Sequence, residues 1–422
     1  MNVFFKTYGC TLNQADAELA QQLVQSHGHC IVENEKNADL VIATTCGVKE
    51  TTENKILHYL QTLETRKKPY IVAGCLPAMN IKKVKRFAPS ANGFIGPNHL
   101  KKIPEIMESL NGKAVEALNA PFSEKFEISP RGLTPITRIQ ISSGCLSACS
   151  FCGTKLARGM FQSKPEERII QEAERAVSAG AKELQLCSQD TGCYGFDQQT
   201  NLARVVKQLN ALEGRFRIRI GMGSPHHMMR FEDELVEALR MPHTYQFLHI
   251  PLQSGNNEIL QAMRRNYAVE DVQGFISRSR KAIPGITLAT DMIVGFPGES
   301  EVQHRDSMTL LKELRFDVVN VSKYSVREGT KAAEMEQVPS QIKKRRAKGM
   351  AVQERNTAWE KNQAFIGRTY PVLLTENGTR GFLAGRNDFY KTVLVPKEGK
   401  EIGQFVEAEI ESATPSYLKA RK

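Results

Sequence analysis

Cys145-Leu-Ser-Ala-Cys149-Ser-Phe-Cys152 sets three thiols within eight residues, directly behind an apolar run at 136–141. That run reads as a strand of period two, so the thiols sit on the loop leaving its carboxyl end. Further strand candidates follow at 183–187, 216–220, 246–250, 287–294 and 317–322, with helical patterns between them. Ser163 with Glu166 three residues on, and Pro165 in the first turn, marks one helix start. Six strand–helix units predict an α/β fold, a partial TIM-like (β/α)6 barrel with ligands at the carboxyl ends of its strands. Clustered thiolates favour an iron–sulfur cluster or zinc. Structural zinc takes four protein ligands, and no fourth Cys or His lies near in sequence, so zinc needs a remote ligand. Three thiolates suit a 4Fe-4S cluster with one iron left open to a substrate or cofactor.

Working outward, 3–8, 39–44 and 70–73 read as strands, with helices at 13–26 and 50–65. This alternation predicts an open parallel sheet covered on both faces. Cys10, Cys46 and Cys75 each stand just past one of these strands, and strand ends in such a sheet share one crevice. The three thiols are thus expected to meet in space and hold a second cluster; the plain alternative is three separately buried cysteines. Residues 118–135, with Pro121 and Pro130, read as a linker. A long helical pattern covers 341–362. Short strands at 369–374, 391–395 and 405–410, punctuated by glycine, predict a small β-barrel. The expected domains are 1–117, 130–362 and 363–422.

The 422 residues carry 57 Lys and Arg against 46 Asp and Glu, a formal charge of +11. The surplus points to a polyanion such as nucleic acid, or to an indifferent basic surface. A hydrophobic share of 41% argues against disorder over the whole length. No apolar run reaches the roughly 18 residues of a membrane span, and 1–6 reads as a strand rather than a secretory leader. A cytoplasmic location, reduced thiols and no membrane partner are expected. Of the nine cysteines, Cys30, Cys187 and Cys193 fall outside both trios. Cys187 fits a core strand, and Cys193 lies in a loop at the ligand edge. His226-His227 reads as a solvated pair and Trp359 as a packing residue.

The thiol spacing, Phe151 before the last cysteine and the six-unit barrel resemble the radical S-adenosylmethionine enzymes. Thr7-Tyr-Gly-Cys10, Thr45-Cys46-Gly-Val48 and Gly74-Cys75 are similar to the cysteine motifs of the methylthiotransferases within that superfamily. His249-Ile-Pro-Leu-Gln253-Ser254-Gly255, Asp291-Met-Ile-Val-Gly295-Phe-Pro-Gly298-Glu299 and Ser325-Val-Arg327-Glu-Gly329-Thr330 resemble its barrel motifs. Gly385-Arg386 looks like the TRAM domain, a small RNA-binding barrel. Thr11 and Thr45 stand where many members have Gln and Asn, without removing a ligand. Ser188-Gln189-Asp190-Thr191-Gly192, Tyr194-Gly195, and Lys155 with Ala157-Arg158-Gly159 resemble the archaeal and eukaryotic branch, which modifies threonylcarbamoyladenosine beside the tRNA anticodon.

The resemblance implies two 4Fe-4S clusters, one on Cys145, Cys149 and Cys152 and an auxiliary one on Cys10, Cys46 and Cys75. It implies S-adenosylmethionine both as methyl donor and as source of a 5′-deoxyadenosyl radical. The radical takes hydrogen from carbon 2 of the modified adenine, where the methylthio group is delivered. That C–H bond is unactivated for acid–base chemistry, so no catalytic side chain beyond the clusters is expected. By analogy Phe151, Gln189, Asp190, Ser224, Gln253 and Gly295 surround S-adenosylmethionine, and Arg327 meets substrate or an ion-pair partner. Lys343, Lys344, Arg345, Arg346, Arg386 and Lys391, with Tyr390, are the candidate RNA contacts; a solvated helix face is the alternative for the run 343–346. The target base has to leave its stack. Expected partners are a tRNA anticodon stem-loop, an electron donor and a sulfur source. Rival readings are methylthiolation of another adenosine derivative or of a ribosomal-protein aspartate, plain methylation, and a zinc-stabilised RNA-binding protein.

Overall fold

Leu40–Thr45 is buried along its whole length, as a strand covered on both faces must be. In the computed structural model, which describes residues 1–110, 112–125 and 135–421, it is a central strand of a six-stranded sheet. The strands are β1 (Asn2–Thr7), β2 (Cys30–Ile31), β3 (Leu40–Thr45), β4 (Tyr70–Gly74), β5 (Gly93–Ile95) and β6 (Val115–Ala117). They run parallel in the order β2-β1-β3-β4-β5-β6. Period two divides β3 between two cores. Leu40 and Ile42 pack with Leu19 and Val24 of the helix Thr11–Ser26, while Val41 and Ala43 pack with Ile56 and Leu60 of the helix Glu50–Arg66. Each fully buried aliphatic side chain contributes about 1.5–3 kcal/mol. β2, β5 and β6 escaped the sequence reading because two or three residues display no period. The segment read as a linker contains a 3-10 turn at Phe122–Lys125; Pro130 lies outside the described residues.

The central domain holds six parallel strands in sequential order: β7 (Ile136–Gln140), β10 (Glu183–Cys187), β11 (Arg217–Ile220), β12 (Phe247–His249), β13 (Thr287–Val294) and β14 (Val318–Lys323). A bridge between Ile218 and Thr244 joins its two three-stranded halves. The inward Leu184, Leu186, Ile218 and Ile220 belong to one core with Leu248 and Leu288. A two-stranded ribbon, β8 (Ser142–Ser143) with β9 (Gln162–Ser163), flanks the thiol loop. Ser163 is therefore no helix cap. It ends β9 and accepts from the Gly195 N–H at 2.9 Å, and the helix Glu166–Ser178 starts behind Pro165.

The last strands, β15 (Thr369–Asn377), β16 (Phe382–Asn387), β17 (Thr392–Pro396), β18 (Phe405–Ala413) and β19 (Leu418–Ala420), close into a barrel in the order β15-β16-β17-β19-β18. A helix, Ser340–Gln363, leads into it. The barrel is held to the central domain by Asp317, whose buried carboxylate accepts from Lys361 at 2.5 Å and Lys391 at 2.8 Å. Burial would raise the Asp317 carboxyl, but the two ammonium groups hold it below its ordinary value. Tyr390 packs on Tyr245 at 4.8 Å and on Phe247 at 4.9 Å. No helix among the described residues is long and apolar enough to cross a membrane.

Two expected RNA contacts are corrected here. Lys391 is 7% exposed and committed to Asp317, and Arg346 is 5% exposed. Arg346 donates to Glu299 Oε2 at 2.8 Å and to the Glu299 carbonyl at 2.9 Å. Arg346→Ala leaves the buried Glu299 carboxylate without its cation. The expected loss of stability is about 3–5 kcal/mol, read from the urea midpoint followed by circular dichroism. A loss below about 1 kcal/mol, the worth of an exposed pair, contradicts this placement.

Candidate active site: two thiol sets on one chamber

The N-terminal thiols converge because glycine lets their strand ends close up. Cys10 caps the helix Thr11–Ser26, Cys46 follows β3 directly, and Cys75 follows β4 and opens the helix Cys75–Met79. Gly9, at φ +113°, sits where a Cβ would lie 2.5 Å from the Cys46 Cβ. Gly74, at φ +101°, sits where one would lie 2.6 Å from the Thr45 carbonyl oxygen. Both positions need the missing side chain and the left-handed backbone. Thr45 clamps β3 to β4, its hydroxyl donating to the Ala73 carbonyl at 2.7 Å and accepting from the Leu76 N–H at 3.2 Å. Asn13 donates to the Thr45 carbonyl at 2.6 Å, and its Oδ1 accepts from the Cys75 thiol at 3.6 Å and from Arg158 Nη2 at 3.1 Å. A hydrogen bond from Cys46 pulls the Cys10 thiol down against the burial that opposes ionisation, and the Arg158 charge adds to it. Burial raises the Cys75 thiol, with Arg158 working the other way.

The barrel thiols occupy the loop after β7. The Ser147 N–H donates to Cys145 Sγ at 3.3 Å, and the Cys145 thiol approaches Asp190 Oδ2 at 3.7 Å. Arg265 Nη1 donates to Cys149 Sγ at 3.2 Å, and its other nitrogens reach Ser224 Oγ, the Pro251 carbonyl and the Tyr267 hydroxyl. Cys193, at the ligand edge, is fully buried. Its sulfur lies within 4.8 Å of both Cys145 Sγ and an Asp190 carboxylate oxygen. A hydrogen bond from Cys193 lowers the Cys145 thiol.

All six thiols line one cavity of about 470 Å³ between the N-terminal sheet and the barrel, within the roughly 300–1,000 Å³ of small-molecule sites. Phe151, Gln189, Asp190, Ser224 and Gln253 line it too. Both amide atoms of Gln189 are buried without a partner among the described residues, which leaves them for a ligand. Gln253, at φ +73°, is a non-glycine residue in a left-handed conformation beside the cavity, a form of strain found at binding sites. Asp190 is committed internally: it accepts from Gly192 N–H at 3.0 Å, Ser224 N–H at 2.9 Å and His227 Nδ1 at 2.7 Å. Burial would raise its carboxyl, and His227 holds it low. His227 is thus a buried partner of Asp190, not part of a solvated pair. Gly295 stands apart from these residues. It is absent from the cavity wall, and the Lys343 stem fills the space beside it, 2.3 Å from where a Cβ would sit.

The donor chemistry fits an iron–sulfur cluster at each trio. Soft thiolates suit such clusters, and each trio has a guanidinium beside it, the buried Arg158 or the half-buried Arg265, that stabilises the ionised sulfur. Sequence reasoning missed Arg265, and met His249 and Asp291 only as the first residues of two motifs, without a role. His249 Nε2 lies 3.1 Å from Asp291 Oδ1, which also accepts from Asn320 at 2.8 Å. The adjacent arginines Arg264 and Arg265 were the available signal for the first. Arg327 makes the structural ion pair, donating to Glu53 Oε2 at 2.5 Å and the Val48 carbonyl at 3.1 Å across the two domains. Of the remaining RNA candidates, Lys344 and Arg345 are exposed, with Arg345 paired to Glu301 at 2.9 Å. Lys343 is half-buried over the Tyr324 ring, and Arg386 over the Tyr390 ring, bonded to Thr392. Trp359 is half exposed rather than packed.

Residues 2–96 match the uncharacterized protein family UPF0004, 139–311 the radical SAM superfamily and 363–422 the TRAM domain. The chain is 38% identical, over 99% of its length and 98% of the relative's, to the probable threonylcarbamoyladenosine tRNA methylthiotransferase of Pyrococcus horikoshii. It is 31% identical to the human threonylcarbamoyladenosine tRNA methylthiotransferase, over 99% of this chain and 73% of that one. Among solved structures it resembles the radical S-adenosylmethionine methyltransferase TsrM of Kitasatospora setae, at TM-score 0.58 and 12% identity over 79% of this chain and 77% of the other. At that identity the likeness concerns the fold alone.

Proposed function

Because this chain belongs to the threonylcarbamoyladenosine tRNA methylthiotransferases, we propose that its shared chamber is where carbon 2 of N6-threonylcarbamoyladenosine in tRNA receives a methylthio group. The observation that carries the reading is the presence of six cysteines from two domains on one cavity wall. Cys145, Cys149 and Cys152 would hold one 4Fe-4S cluster with S-adenosylmethionine, and Cys10, Cys46 and Cys75 the auxiliary one. Bound there, these groups supply one-electron chemistry able to break an unactivated C–H bond, together with the sulfur and the methyl group that are transferred.

The protein's part is to orient and to shield. Arg265 fixes Cys149 and Ser224 on opposite sides of one guanidinium. Asp190, locked by His227 and two backbone N–H groups, sets the loop that presents Gln189 to the cavity. The Arg327–Glu53 pair clasps the two halves of the chamber and limits water entry. Lys344, Arg345 and Arg386 remain as cations for the tRNA phosphates, sequence-blind contacts that position rather than specify. An electron donor for the clusters and a source that renews the transferred sulfur complete the proposed set of partners.

Mass spectrometry of tRNA nucleosides from cells with and without the gene tests the assignment. The expected result is loss of 2-methylthio-N6-threonylcarbamoyladenosine with accumulation of its precursor. An unchanged methylthio nucleoside would sink it and revive the ribosomal-protein aspartate as substrate.

A further inference from the structure

Arg158 stands in an unusual position for a residue of the barrel. It ends the short helix Thr154–Arg158, six residues past Cys152. Yet its head lies in the N-terminal domain, where Nη2 donates to Asn13 Oδ1 at 3.1 Å and Asp16 Oδ2 at 2.5 Å. The same Asn13 oxygen accepts from the Cys75 thiol, so guanidinium and thiol meet over one atom. Arg158 is 2% exposed and lines the chamber. Its Nε and Nη1 are buried with no hydrogen-bond partner among the described residues. Arg265, the equivalent cation at the barrel trio, has partners at Nε, Nη1 and Nη2. Unpaired buried donors of this strength are rare. The N-terminal thiols are the acceptors beside Arg158 that the fold leaves open. The local charge is positive as well: Arg158 and Lys125 both pair with the one carboxylate of Asp16.

We infer that Arg158 is a positioning residue for the auxiliary cluster, turning the free N–H donors of Nε and Nη1 to the sulfur around Cys75 and raising that cluster's reduction potential above the value the thiolates alone would set. A cation and hydrogen bonds at the sulfurs stabilise the reduced, more negative state. The inference rests on the reading that Cys10, Cys46 and Cys75 hold a cluster. It goes beyond that reading by assigning the potential to a residue delivered from the other domain. Since Arg158 shares a loop with the barrel thiols, any shift of that loop alters the auxiliary centre directly.

The test is a redox titration followed by electron paramagnetic resonance on the anaerobic holoenzyme, with added S-adenosylmethionine to identify the barrel cluster by its altered signal. In Arg158→Gln the ratio of reduced to oxidised auxiliary cluster at fixed potential is expected to fall at least about tenfold, equivalent to about 59 mV for one electron, while the barrel signal keeps its potential. Arg158→Lys retains the charge against Asp16 but loses the fork, so a smaller shift of the same sign is expected; it decides the matter if the glutamine variant does not fold. An unchanged auxiliary potential in a folded variant overturns the inference and leaves Arg158 a structural ion pair. A wild-type protein lacking the second cluster signal instead overturns the cluster reading itself.

Discussion

Cys145→Ala, Cys149→Ala or Cys152→Ala is expected to abolish 5′-deoxyadenosine formation from S-adenosylmethionine and reductant. These thiols are held individually, by Ser147 N–H, Arg265 and the tight Cys149–Cys152 turn, so losing one leaves two thiolates for the cluster. Cys193 lies near enough to Cys145 to raise the question of rescue. It is fully buried behind Asp190, however, and its thiol already donates to the Asp190 carbonyl at 3.2 Å. The iron content of the anaerobic preparation should fall from about eight to about four per chain, as for loss of one of two four-iron clusters. Undiminished 5′-deoxyadenosine with full iron in any of the three variants would remove these residues from the radical centre.

Alanine at Cys10, Cys46 or Cys75 should dissociate the two halves of the reaction. Iron again drops to about four per chain, but 5′-deoxyadenosine continues to form, because the barrel loop and its Arg265 support are untouched. The methylthio nucleoside disappears from the product tRNA. A plain methylase would be indifferent to these substitutions, so a methylated, sulfur-free nucleoside that persists in all three variants would decide for that class of reaction.

The thiol sets were legible because both follow local rules: one is a short spacing, and the other is a position just past successive strands. Gly9 and Gly74, beside Cys10 and Cys75, belong to the same signal, since they permit strand ends to close up. The cations were not legible. Lys343, Arg346 and Met350 recur at helical intervals, and Met350 is 1% exposed, so the run 343–346 contained its own indication that Arg346 faces inward. Its partner Glu299 lies 47 residues away in the chain, beyond any local pattern. Lys391 with Asp317 and His227 with Asp190 are of the same kind. β16 went unread because Gly381 and Gly385 break its pattern, although a side chain at Gly385 would fall 2.3 Å from the Leu373 carbonyl oxygen. β19, with three residues, is too short to show alternation.

The anchoring of the final barrel has a further consequence. Asp317 is gripped by Lys361 from the helix leading into that barrel and by Lys391 from within it, and Tyr390 is wedged against Tyr245 and Phe247. The barrel that matches the TRAM domain is therefore bolted to the central domain rather than tethered to it. With the tRNA gripped there as proposed, selection of the nucleotide is metric: the span from that surface to the chamber acts as a ruler, and lengthening or shortening the anticodon arm should misplace the target even where its chemistry is intact.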